Sequence, residues 1–168
     1  MVEEWITLDS QTLASPAPAV TLTFTAKTFI QGILHWVAAG TADLSMQVGV
    51  GTIDTSSNYV ERSSYNGAAW GAGSANTRFD VGAGGLSTDA LSIIYGINIA
   101  GKEKLFVEKL CNQGVGGAGS GVVPIRESLV GKYVITAGQI DTMNGRESNS
   151  GTDPHLDTDT NFTAFGTD

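Results

Sequence analysis

The chain has 168 residues, 17 of them acidic and 9 basic, for a net charge of −8. Gly, Ser and Thr fill 54 positions and charged residues only 15 %, which excludes a coiled coil or helical bundle, since those run on Ala, Glu, Lys, Leu and Arg. A hydrophobic share of 41 % excludes charged disorder, because there is enough apolar material to bury.

Strand-like alternation then recurs along the chain. Trp5 to Leu8 is a short candidate strand, and Ser15-Pro16-Ala17-Pro18 is a rigid connector that cannot lie in a central strand. Residues 1–18 therefore read as an extended N-terminal arm, ahead of a single domain over 19–168. Val20 to Thr25 alternates apolar residues with threonines, the pattern of a half-buried strand. Thr28 to Ala38 is the most apolar segment; its β-branched and aromatic content favours a central strand, bulged at Gly32. Leu44 to Val50, Asn58 to Tyr65 and Thr77 to Val81 follow. Leu91 to Ile99 and Lys104 to Leu110 form a hairpin across Ala100-Gly101-Lys102-Glu103, and Val122 to Ile135, Gln139 to Met143 and Asn161 to Phe165 complete the set. Nine or ten strands without a helix predict an all-β chain, a jelly-roll-like antiparallel β-sandwich ahead of an immunoglobulin-like one. Asn66 to Ala75, Gly82 to Ala90 and Gln113 to Gly121 read as long Gly/Ser-rich loops at the sandwich ends.

The chemistry-bearing candidates are few. Gly114 to Gly121 is glycine-rich, but Val122-Val123-Pro124 follows it, so there is neither the lysine nor the helix of a phosphate-binding loop. Ser120 lacks the spacing of a nucleophile elbow. Asp153, Asp157 and Asp159 cluster with His155 and are the candidates for a calcium-stabilised loop, against the plainer reading of a solvated acidic stretch. Cys111, the single cysteine, excludes an intrachain disulfide and a thiolate zinc cage, and its place at the end of an apolar pattern reads as a buried small hydrophobe. Glu61, Glu103, Glu108 and Glu127 each sit beside a basic residue, which fits surface cross-strand pairs. Lys102, Lys104 and Lys109, interleaved with Glu103 and Glu108, read as a solvated strand face, and the remaining basic residues are scattered, so a phosphate-tracking nucleic-acid surface is not expected. No enzyme and no cofactor are expected.

Aromatic residues remain. Trp36 reads as core, whereas Trp5 either plugs one end of the sandwich or docks a neighbour. Trp70 sits in a Gly/Ala loop and, with Tyr59, Arg62 and Tyr65 of the preceding strand, makes a candidate partner surface or sugar-stacking platform. Asn161-Phe162-Thr163 matches the glycosylation triplet, but the start shows no secretory leader to give it force, and the longest apolar stretch, Phe29 to Ala39, is too short to span a bilayer. The expected product is soluble and made in the cytosol, with no membrane partner.

Thr12-Leu13-Ala14-Ser15-Pro16-Ala17 leading into Val20 to Lys27, the run Ser57 to Gly67, Tyr95 to Ala100 with Lys104-Leu105, Arg126-Glu127 with Val130 to Tyr133, and the closing Phe165 to Asp168 together carry a resemblance. In these features the chain resembles small β-sandwich structural proteins of tailed viruses, those that decorate capsids or sit on tails. The resemblance implies a non-enzymatic role on the virion surface, a homo-oligomer with a trimer as first choice, and a major capsid or tail protein as partner. The rival class is a carbohydrate- or receptor-binding module that takes a surface glycan on Trp70, Tyr59 and Tyr65.

Overall fold

The computed structural model describes residues 4–37, 42–68, 71–86, 89–113, 123–147 and 156–168. Among them are thirteen strands and no helix: β1 (Ile6–Thr12), β2 (Ala19–Thr23), β3 (Phe29–Trp36), β4 (Ala42–Val50), β5 (Thr52–Ile53), β6 (Tyr59–Tyr65), β7 (Gly71–Asn76), β8 (Phe79–Leu86), β9 (Ala90–Ile97), β10 (Lys104–Asn112), β11 (Ile125–Tyr133), β12 (Thr142–Glu147) and β13 (Asn161–Thr167). They form two antiparallel sheets. The larger runs β1-β13-β3-β9-β10-β11-β6-β7, and the smaller runs β2-β12-β4-β5, with β8 also on β4.

The pairing is nested. β1 pairs with β13, β2 with β12, β3 with both β13 and β9, and β4 with both β12 and β8. Sheet one thus begins 1-13-3-9 and sheet two runs 2-12-4-8, as in a hairpin of strands wrapped once around a barrel axis: a jelly roll. Two insertions extend only the larger sheet beyond β9. β10 and β11 come from between β9 and β12, and β6 and β7 from between β4 and β8. That widening gives the sheet a broad second face that no other part of the sandwich covers among the described residues.

Several expectations are corrected. Residues 6–12 of the expected arm fold back along β13, from Ile6↔Gly166 to Thr12↔Asn161, with a bulge between Thr7 and Asp9. The connector after them stays tied to the sandwich, with Leu13 N–H donating to the Thr160 carbonyl at 2.9 Å and a bridge joining Ala17 to Leu156. Part of the expected loop 66–75 is the edge strand β7 on β6, and part of 82–90 is β8 on β4. No bulge occurs at Gly32; both its ladders run through it without a shift. Glycine is used there for space, since a Cβ would sit 3.0 Å from the Phe162 ring.

The core lies between the sheets, with Val20, Leu22, Met46 and Val48 from the smaller facing Ile30, Leu34, Trp36, Ile94 and Phe162 from the larger. Burying one such side chain stabilises the fold by about 1.5–3 kcal/mol. An aromatic cluster closes the inserted end. Tyr59 meets Phe79 edge-on at 5.0 Å, Tyr133 at 5.2 Å, and Phe79 continues to Phe106 at 5.3 Å.

Candidate interaction surface

In a strand, successive side chains point to opposite faces, so the larger sheet presents alternate residues outward. Seven of the twelve exposed large hydrophobic residues lie on that outward face. Phe29 stands on β3, and Leu91, Tyr95 and Ile97 on β9. Leu105 and Val107 stand on β10, and Val130 on β11. Register makes them neighbours: Phe29 opposes Ile97, which opposes Leu105, while Tyr95 opposes Val107, which opposes Val130. The half-buried Ile33 and Ile93 oppose one another and continue the patch. Two adjoining grooves cross it, about 410 Å³ between Trp5, Phe29 and Leu105 and about 600 Å³ between Val107, Val130 and Arg62.

Such a face needs an explanation, because contiguous exposed apolar patches mark interaction sites. Six strands from β13 to β6, each about eight residues long, span roughly 29 Å by 27 Å at strand and residue spacings of about 4.8 Å and 3.3 Å. That is close to the ~800 Å² per partner of a stable interface.

Charge is graded across the sheet. Arg62, Lys109, Arg126 and Lys132, four of the nine basic residues, occupy outward positions on β6, β10 and β11. No outward position of β3, β9, β10, β11 or β6 carries a carboxylate. Lys109 donates to the Ser128 hydroxyl at 2.8 Å, and Lys132 pairs with Glu103 of the β9–β10 turn at 3.0 Å. Carboxylates flank the opposite edge. Glu4 precedes β1, Asp157 and Asp159 precede β13, and Asp168, which pairs with Lys27, follows it.

The inner side of the same inserted strands is acidic as well as apolar. Glu61, Glu108 and Glu127 are buried between the sheets, not paired on the surface as expected; of the four glutamates only Glu103 behaves that way. Glu61 accepts hydrogen bonds from the Asp80 N–H at 2.9 Å and the Asn76 amide at 3.3 Å, and burial pushes its carboxyl up to about 7. Glu108 accepts from the Ser92 hydroxyl at 2.8 Å, while its Oε2 has no hydrogen-bond partner. Burial, with the charge of Glu127 adding to it, pushes its carboxyl up to about 8. Lys104 is also buried, not part of a solvated face; its ammonium donates to the carbonyls of Lys102 at 2.8 Å and Ile135 at 3.0 Å, and desolvation lowers its pKa.

The expected site residues do not converge. Tyr59 is fully buried, and its hydroxyl lies 2.8 Å from the carbonyls of Val48 and Asp54, so it is not a partner or sugar contact. Arg62 is outward and joins the contact face, whereas Tyr65 has the opposite parity on β6 and is half-buried. Trp5 is 45 % exposed and borders the apolar groove. Trp70, Asp153, His155 and the glycine-rich run 114–121 lie outside the described residues. Asp157 engages Thr158 N–H through its carboxylate at 2.7 Å, Asp159 adopts a left-handed backbone at φ 71°, and no metal-holding cluster occurs among the described residues.

Cys111 is exposed on the contact face, correcting its reading as a buried residue. His35 and Cys111 flank Leu91 across two ladder steps, their strands about 9.6 Å apart, with Leu91 between them. The signal that marks the face was present in the sequence. Ile93-Ile94-Tyr95 and Leu105-Phe106-Val107 are apolar at both parities, as expected of strands covered on both sides. Comparison with family models, with curated proteins and with solved structures finds no match to the chain.

Proposed function

We propose that this chain is a non-enzymatic structural subunit of a viral particle that works by self-assembly, its larger sheet supplying the contact. The observation that carries the reading is the uncovered apolar face of β3, β9, β10 and β11. A face of this size, backed by a packed core and rimmed with charge, suits a partner surface of matching flatness, and a second copy offers one. The resemblance to decoration and tail proteins of tailed viruses supports the virion setting, with a major capsid or tail protein as the further partner. Of the sugar-stacking platform built on Trp70 with Tyr59 and Tyr65, Tyr59 is buried and cannot take part, while Trp70 lies outside the described residues.

The test is the mass of the purified protein by light scattering over a concentration series, repeated for Val107→Glu. Val107 is exposed at the centre of the face, so the substitution leaves the single-copy fold intact, as circular dichroism checks. The native chain is expected to be oligomeric and the variant monomeric. A native chain that stays monomeric at high micromolar concentration overturns the reading.

A further inference from the structure

We infer that the second copy docks face to face on this sheet about a two-fold axis parallel to the strands, running between β9 and β10. The inference rests on the self-assembly reading above and adds its geometry. Two sheet faces of one chain that pack with their strands aligned meet about an in-plane two-fold in either of two ways. With the axis perpendicular to the strands, each strand lies over its own copy. Arg62, Arg126 and Lys132 then face the same three cations of the other copy, and like charges brought together at an interface are costly. With the axis parallel to the strands, the order β13-β3-β9-β10-β11-β6 is reversed in the partner. The basic β11–β6 side of each copy then lies over the β13–β3 side of the other, twice. The outward strand positions of that side carry no lysine or arginine, and its strand ends carry Asp157, Asp159 and Asp168.

The apolar centre fits the same axis. β9 of one copy covers β10 of the other at the same height, so Tyr95 and Ile97 meet Val107 and Leu105. Leu91 meets Cys111 and Ile93 meets Lys109, which leaves one Lys109 pair across the axis where the perpendicular arrangement opposes three cations. Sheets packed this way lie about 10 Å apart. A two-fold uses one self-complementary surface on both copies, in keeping with the single broad apolar face among the described residues; a three-fold ring needs two different surfaces.

Cys111 reports the axis without any substitution. It is outward on β10, beside the midline, and six residues, about 20 Å, from Leu105 at the other end of the strand. Under the parallel axis the two Cys111 thiols lie at the same end, across the midline from one another. Under the perpendicular axis each faces the Leu105 end of its partner.

The experiment treats the native protein with a short bis-maleimide and separately measures Cys111 alkylation by iodoacetamide across the concentration range of assembly. The inference expects a covalent dimer in high yield, lost in Val107→Glu, and alkylation that slows severalfold as the oligomer forms. An oligomer whose Cys111 forms no covalent dimer, or whose mass is that of a trimer, overturns the axis and leaves self-assembly standing. A protein that stays monomeric overturns both.

Discussion

At the scale of single residues, buried polar groups decide how the inserted strands are held. The Tyr59 hydroxyl accepts from Val48 N–H at 3.0 Å and faces two carbonyls at 2.8 Å, tying β6 to β4 across the core. Tyr59→Phe keeps the ring contacts and leaves the Val48 carbonyl its bond from the Asp54 N–H, but strands the buried Val48 N–H, at a cost of about 1–3 kcal/mol. The expected result is a folded protein with a denaturation midpoint lowered by a corresponding amount, and an unchanged midpoint argues against the tie. Glu108 sets a pH dependence of definite sign. Its carboxyl titrates near 4.5 in the open chain and near 8 when folded, so the folded state holds a proton that the unfolded state releases as pH rises between those values. The contribution of Glu108 to stability is full below pH 4.5, falls through the interval and levels off above about 8. Glu108→Gln removes a neutral-to-charged change at that site. It should flatten the loss between pH 5 and pH 8 by on the order of 3 kcal/mol, read by urea denaturation at a series of pH values. A slope identical to that of the native chain sinks the assignment.

At the scale of elements, alternation was a reliable guide wherever one face is buried. Val20 to Thr25, Leu44 to Val50 and Asn161 to Phe165 read as strands because their apolar residues recur at every second position. β7 was illegible: Gly71-Ala72-Gly73-Ser74-Ala75-Asn76 has no apolar alternation, and only its pairing with β6 makes it a strand. The glutamates were misread for a geometric reason. Glu108 and Lys109, like Glu61 and Arg62, are neighbours in sequence, but consecutive residues of a strand point to opposite faces, so each acid goes inward while its basic neighbour goes outward. Parity also explains why the contact face escaped a reading centred on aromatic residues. β9 and β10 are apolar on both sides, which identifies a strand yet leaves open which of its faces is core. Packing decides that, because β8 of the smaller sheet lies against the inner face of β10 and β11, where Phe79 meets Phe106, and leaves the other face outward.

At the scale of the whole molecule, the two ends of the chain meet in one sheet but carry different weight. Ile6 opposes Gly166, so the larger sheet joins segments at the extremes of the described chain. β1 lies at the edge, bonded on one side only, with side chains exposed apart from Leu8 and Asp9, which are half-buried. β13 lies between β1 and β3 and buries Phe162 and Ala164 completely, while Leu156 just before it is also core. Losing a buried Phe side chain alone costs about 3–5 kcal/mol, against a total stability of about 5–15 kcal/mol for a domain. Removing β13 also opens the ladder on β3 and withdraws a flank of the contact face. A chain beginning at Leu13 is therefore expected to keep its β-type circular dichroism and melt a few degrees lower, whereas one ending at Glu147 loses cooperative melting altogether. The N-terminal truncation removes Trp5 from the rim of the apolar groove but leaves the six strands of the contact face, so it should remain oligomeric in light scattering, at higher concentration than the native chain. Cooperative folding in the chain that ends at Glu147 argues that β13 is dispensable to the jelly roll. A monomeric N-terminal truncation that still melts cooperatively places the contact on β1 instead, at the rim of the sheet rather than its centre.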